Sequence, residues 1–131
     1  ELRNAVGHVI DFTPTILKLA GGEWTNEYDG EARPAVAGRD FSVSFANDLN
    51  PDREFLWWLH EGNRAIRAGD WKLVSSGDGP WELYDLKHDR TENHDLASEN
   101  PDKVRELNEL WSTTTNEFVK LAKSQATAKK D

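Results

Sequence analysis

The stretch that decides the fold is "EFLWWLHEGNRAIRAGDWKLVSSGDGPWELYDL", residues 54–86. Glycine-containing turns cut it into four short runs rich in aromatic and β-branched residues: Glu54 to His60, Arg64 to Ala68, Trp71 to Ser75, and Trp81 to Leu86. Runs of this length and composition read as strands. The connections between them are too short for a crossover, so neighbours must pair antiparallel and the four runs form a meander. Trp57 and Trp58 are adjacent, and period-2 alternation sends them to opposite faces. Large apolar surface therefore lies on both sides of the expected sheet, and both sides need some cover.

The sequence after the strands supplies one cover. A polar connection, "HDRTENHDLASENPDK" (residues 88–103), ends in a strong helix start, with Asn100 able to cap and Pro101-Asp102 suited to the first turn and its dipole. From there Val104, Leu107, Trp111, Thr114, Phe118 and Leu121 recur at spacings of three and four, widened by Leu110, which predicts a long amphipathic helix. Packed on the sheet, it makes an α+β domain: a four-stranded antiparallel sheet against a long C-terminal helix. The end of the chain, "KSQATAKKD" (residues 123–131), is polar and is expected to fray.

Before the strands the sequence is less regular. Thr13-Pro14 is a plausible helix start by capping, Ile16, Leu17, Leu19 and Ala20 give it an apolar face, and Gly21 stops it, so a short helix is expected over Pro14 to Ala20. Residues 21–52 are rich in Gly, Pro, Asn and Asp and read as one long loop, with a single extended piece at Phe41 to Phe45. A loop of that length is usually functional or held down by something else. The natural division is residues 1–52 and residues 53–131.

Composition bounds the function. The 131 residues suffice for one real core and carry a net charge of −8, which disfavours nucleic acid as a partner. There is no cysteine, hence no disulfide, thiolate metal site or cysteine nucleophile. No apolar run approaches the roughly 20 residues that span a membrane, so no membrane partner is expected. Methionine is absent, even at position 1, and the chain is expected to be a piece of a longer polypeptide.

Residue by residue, reactive chemistry is scarce. His88 and His94 stand among Asp85, Asp89, Glu92 and Asp95, but a calcium loop counted from Asp85 fails at Lys87, Arg90 and Leu96. A solvated acidic connection is the better account, and no metal ligand is assigned. No serine sits in a nucleophile elbow, and no phosphate loop is present. The six tryptophans could form a sugar-stacking platform, but Trp57, Trp71, Trp81 and Trp111 fall where a core is expected. His60 is different: it ends an aromatic strand just before a glycine turn, where a side chain either projects towards a ligand or is simply an ordinary strand end.

Three segments together resemble the C-terminal end of the sulfatase (arylsulfatase) family: "VIDFTPTILKLAG" (residues 9–21), "GNRAIRAGDWKLV" (residues 62–74) and "WELYDLKHDRTENHDLASENPDKVRELNELW" (residues 81–111). They occur in family order. One departure is Arg90, where family members commonly carry proline after "LYDLxxD". The resemblance implies a small C-terminal subdomain, a sheet on a long helix, with residues 1–52 left from the larger α/β domain and its connecting loop. It also implies a parent enzyme that hydrolyses sulfate esters with a formylglycine, made from Cys or Ser in a C/S-x-P/A-x-R motif, and a calcium ion.

Neither cofactor is expected within these residues. Ser44-Phe45-Ala46 and Ser124-Gln125-Ala126 are the only Ser-x-Ala matches, and neither continues to x-Arg. No catalytic residue is therefore carried over, and the chain alone is expected to be inactive. What the resemblance does imply is a substrate-side role for the turn before "GNRAIR", which lies near the cleft in related enzymes: His60, with Glu61 and Asn63. The implied partners are the missing N-terminal catalytic domain and a sulfated small molecule or glycan. The residues leave the compartment open, and the resemblance is compatible with a periplasmic or secreted one. Without its partner domain, the first helix should expose apolar surface and favour self-association. A Trp-rich carbohydrate-binding module and a purely structural module are the alternatives.

Overall fold

The computed structural model describes residues 2–128, with side chains to residue 124. The chain divides into two compact units, Glu1–Arg53 and Glu54–Asp131. The first holds helix α1 (Phe12–Leu19), strands β1 (Glu27–Tyr28) and β2 (Glu31–Ala32), and the short helix α2 (Val43–Asn47). The second holds β3 (Leu56–His60), β4 (Asn63–Ala68), β5 (Trp71–Ser75), β6 (Glu82–Asp85) and the long helix α3 (Pro101–Ala128). The architecture is α+β, as the periodicities predict.

In the first unit the chain turns earlier than Thr13-Pro14 suggested. Val9–Asp11 form a 3₁₀ turn that runs straight into α1, and the start is a reciprocal capping box. His8 Nδ1 accepts from the Ile10 amide at 3.3 Å, while Asp11 Oδ2 accepts from the His8 amide at 2.8 Å. Asp11 is 2% exposed and is the hub of this unit. Its other oxygen accepts from the Arg39 amide at 2.8 Å and from the Arg53 guanidinium. The Arg39 segment can come so close only because residue 38 is glycine: a Cβ there would sit 2.0 Å from the carbonyl oxygen of Ile10. Thr15 Oγ1 then accepts from the Phe41 amide at 2.8 Å, which anchors the segment a second time.

Two expectations for residues 21–52 are corrected. Phe41 to Phe45 is not extended, because Val43–Asn47 is a helical turn. Asp40 Oδ1 accepts from the Ser42 amide at 2.9 Å and starts the turn, and Asp48, with φ of 51°, ends it. Phe41 and Phe45 sit four apart, a spacing that a helical turn brings together, and their rings meet edge to face at 6.3 Å. The long loop also contains a small hairpin, β1 with β2, closed by Asp29-Gly30, both at positive φ. Beside it the Arg33 guanidinium lies 4.0 Å from the centre of the Trp24 ring. The apolar side chains of α1 are left open: Phe12, Ile16 and Leu19 are all well exposed.

In the second unit the order β3-β4-β5-β6 is an antiparallel meander, as expected from the short turns. The register puts Trp57, Ile66, Leu73 and Leu83 in one row across the four strands. Ile66, Leu73 and Leu83 are fully buried, and Leu107 and Trp111 of α3 join them in the core. Leu56, Ala65 and Tyr84 lie on the opposite face, where they too are buried. Trp57 and Trp58 take opposite faces, as alternation requires. The exposed edge of β6 is closed by the chain that follows it. Asp95 Oδ1 accepts from the Leu83 amide at 2.9 Å, and the Leu96 amide donates to the Leu83 carbonyl at 2.8 Å.

The helix buries its stripe through Leu107, Trp111 and Thr114. Beyond that point Phe118 is half exposed, touching Trp57 edge-on at 5.0 Å, and Leu121 is exposed. The helix α3 runs to Ala128, so the polar stretch from Lys123 to Ala128 is helical, and the last three residues lie outside the described residues.

Leu73→Ala should cost about 2–5 kcal/mol of unfolding free energy in urea titrations followed by Trp fluorescence, whereas Leu59→Ala, at a half-exposed site on the same face, should cost much less; equal effects would contradict the core assignment. Burial opposes ionisation of Asp11, but hydrogen bonds from Arg53, Arg39 and His8 outweigh it and hold the carboxyl below its ordinary value of 3.8. Its stabilisation is then complete above the unfolded-state pKa and is lost as pH falls through the lower folded value. Exchange protection of the Arg39 amide should therefore fall below about pH 4 in the native chain and be weak at neutral pH in Asp11→Asn, with little further loss on acidification.

Candidate functional site

One end of the sheet gathers two turns. The first joins β3 to β4 through Glu61 and Gly62, whose φ values of 49° and 84° make the mirror-image turn that matches strand twist. A glycine serves the second position without strain, and Glu61 takes the left-handed conformation as the first. The second turn is the Ser76–Pro80 connection from β5 towards β6. Antiparallel register brings them side by side, since Arg64 pairs with Ser75. A Cβ on Gly62 would lie 3.8 Å from the Gly77 Cα, so the two turns are in contact.

The three residues singled out in the sequence sit here with different degrees of freedom. His60 and Glu61 project into solvent, 84% and 81% exposed, with His60 Nε2 at 3.8 Å from Glu61 Oε2. Asn63 is the tether. Its Oδ1 accepts from the Gly77 amide at 3.1 Å and from the Ser76 hydroxyl at 3.3 Å. His60 and Asn63 are register partners and lie on the sheet face opposite Ile66 and Leu73. The structure thus brings all three to one rim, with His60 and Glu61 as its free groups and Asn63 as a strut.

The residue that sequence reading passed over is Arg64. Its side chain lies on the inner face, with the guanidinium carbon 4.5 Å from the centre of the Trp81 ring and 5.8 Å from that of Trp111. From there Nη2 donates to Ser75 Oγ at 2.9 Å and to the Gly79 carbonyl at 3.2 Å. The signal in the sequence was its place in the meander, since register sets Arg64 opposite Ser75 on the inner face.

Trp57, Trp81 and Trp111 are engaged with one another. Trp111 stacks on Trp57 at 6.3 Å and meets Trp81 edge-on at 5.8 Å. Trp111 Nε1 donates to the Trp58 carbonyl at 3.1 Å, and Trp57 Nε1 to Thr115 Oγ1 at 3.0 Å.

The acidic connection after β6 is built rather than merely solvated. Asp85 accepts from the Lys87 amide at 3.0 Å and pairs with His88 Nδ1 at 2.7 Å. Asp89 accepts from the amides of Asn93 and His94 at 2.7 and 2.9 Å. Lys72 Nζ bonds both carboxylate oxygens of Glu92, at 2.6 and 2.8 Å. The carboxylates of Asp85 and Asp89 hold backbone and that of Glu92 holds a lysine, and among the described residues no group of three or more His, Asp and Glu side chains is gathered to hold a metal ion.

The sequence matches no protein-family model. It is 34% identical over 110 residues to an uncharacterized sulfatase of Schizosaccharomyces pombe, an alignment covering 79% of this chain and 20% of the relative. It is 28% identical over 111 residues to arylsulfatase K of Danio rerio, covering 78% of this chain and 20% of that protein. A solved structure from a Bacteroides thetaiotaomicron locus for metabolism of multiple glycosaminoglycans superposes with a TM-score of 0.65 at 22% identity, over 87% of this chain and 26% of that one. That likeness establishes a shared fold. The chain resembles the C-terminal region of sulfatases and spans about a fifth of the length of the curated relatives it matches.

Carboxyl titration by NMR checks the connection. Asp85 is held below 3.8 chiefly by the His88 hydrogen bond, and Asp89 chiefly by the His94 amide. Both midpoints should fall below that value, and His88→Ala should raise the midpoint of Asp85 while leaving Asp89 in place. A common shift of both would contradict separate caps.

Proposed function

We propose that this chain is the C-terminal subdomain of an enzyme that hydrolyses sulfate esters, and that the rim at His60 and Glu61 faces its substrate. The observation that carries the proposal is the 34% identity to a sulfatase over most of this chain combined with only 20% coverage of that protein. The remaining length of such a protein would supply the catalytic centre. Residues 1–52 would complete the larger domain, and residues 53–131 would form the sheet-and-helix subdomain. The exposed apolar side chains of α1 support this division, since an apolar helix face of that kind calls for a covering partner. In isolation the same surface would drive self-association.

The described residues do not fit a calcium ion. The carboxylates of Asp85, Asp89 and Asp95 are committed to backbone amides and those of Asp11 and Glu92 to cations. No Ser-x-Pro/Ala-x-Arg sequence offers a formylglycine precursor. Calcium and formylglycine thus belong to the proposed remainder, and this polypeptide alone would be inactive. Its own contribution is to carry two exposed polar groups on a stiff two-turn end. An imidazole and a carboxylate so placed can exchange hydrogen bonds with substrate hydroxyls and bias which ester is accepted. The packing of Trp57, Trp81 and Trp111 against one another weighs against the alternative of a glycan-stacking module.

The test compares this chain with the longer polypeptide that contains it, using an aryl sulfate. Turnover by the longer protein and none by the chain alone is expected; turnover by the chain alone contradicts the proposal. Within the longer protein, His60→Ala should raise KM for the preferred substrate about tenfold, as expected for a lost hydrogen bond to substrate, with kcat nearly unchanged. An unaltered KM would remove His60 from the substrate side.

A further inference from the structure

We propose that Arg64 is a positioning residue, a clamp that joins the two turns into one rim and so sets where His60 stands. The clamping step rests on the geometry of this chain; its effect on substrate rests on the reading of the rim given above. Arg64 reaches across a register pair to Ser75, and the same nitrogen bonds the Gly79 carbonyl in the second turn. Ser75, 1% exposed, donates to that carbonyl as well, at 2.8 Å, so hydroxyl and guanidinium close a three-member network around one oxygen. Asn63 ties the same turn from the other side through Gly77. His60 is the register partner of Asn63 and the next residue along the hairpin from the Leu59–Arg64 pair. A turn held from both sides cannot drift without carrying the hairpin with it.

The position of the guanidinium has a cost that a purely space-filling residue would avoid. Its Nε is buried with no hydrogen-bond partner, so a donor gives up water without gaining an acceptor. Two indole faces offset that cost, since Trp81 and Trp111 flank the charge at distances where cation–π attraction operates. The planar fork is also what allows one end of the side chain to lie against rings while Nη2 meets two oxygens at once. Lysine could supply the charge and several N–H donors but not the rigid plane that lies against the indoles. Arg64 therefore couples the aromatic core under α3 to the rim at the sheet end.

Two measurements on the longer protein test this. The first is hydrogen exchange at the Gly77 and Gly79 amides. Arg64→Lys and Ser75→Ala should each speed it about tenfold or more, the equivalent of one hydrogen bond, while Leu73 and Leu83 amides keep their protection; unchanged exchange in both variants overturns the clamp. Ser75→Ala keeps this arm informative if the arginine variant folds poorly. The second is a double-mutant cycle in KM between Arg64→Lys and His60→Ala. If Arg64 acts through His60, the double variant should be no worse than His60→Ala alone, with kcat similar in all; independent, multiplicative effects overturn the positioning role. A His60→Ala enzyme with native KM, alongside accelerated exchange in Arg64→Lys, would instead uphold the clamp and sink the substrate-facing reading of the rim.

Discussion

The indole of Trp111 meets side chains from three separate parts of the sheet. It stacks on Trp57 of β3, receives the edge of Trp81 just before β6, and lies beside the Arg64 guanidinium of β4. Its Nε1–H donates to the Trp58 carbonyl, so the same ring also pins an edge strand by its backbone. Strand alternation makes this possible, because Trp57, Arg64, Ser75 and Trp81 must all share the face that carries Ile66 and Leu73. The helix that brings Trp111 there buries Leu107 one turn earlier. Core, helix docking and rim geometry are therefore consequences of one row of contacts.

The strands and the long helix were legible because their signals are local and periodic. Turns such as Gly69-Asp70 leave antiparallel pairing as the only option, and the three-and-four spacing of Val104 to Trp111 needs no partner to be read. The first unit was harder because its order comes from single long-range polar contacts. Asp11 binds Arg39 and Arg53 far along the chain, and Gly38 matters for a clearance against Ile10 that no pattern announces. Phe41 to Phe45 shows the limit of pattern alone: five residues alternating apolar and polar fit a strand, yet a helical turn also joins positions four apart. Asp29-Gly30 is different again: an Asp-Gly pair suits a hairpin turn, but the residues around it lack the alternating apolar pattern that marks strands.

At the proposed rim the sequence pointed to one turn and to only part of its geometry. His60 and Glu61 were visible as polar groups at a strand end, and they prove to be the exposed ones. Asn63 belongs with them but spends its amide oxygen on the neighbouring turn. Arg64, whose side chain joins that turn to the aromatic core, could be placed only once register had paired it with Ser75. Exposed residues announce themselves by type; a strut is recognised by what it spans. The acidic connection teaches the same lesson, since Asp85, Asp89 and Asp95 resemble ligands in composition and act as caps in space.

The proposed role of this sheet end is to face the substrate of a sulfatase. It is tested most directly by a crystal structure of the longer protein with an unreacted sulfated substrate bound. The account predicts the His60 imidazole within contact distance of the substrate, about 4 Å or less, with the Arg64–Ser75–Gly79 network intact beneath it. A substrate seated with His60 in bulk solvent, several residue widths away, would contradict it.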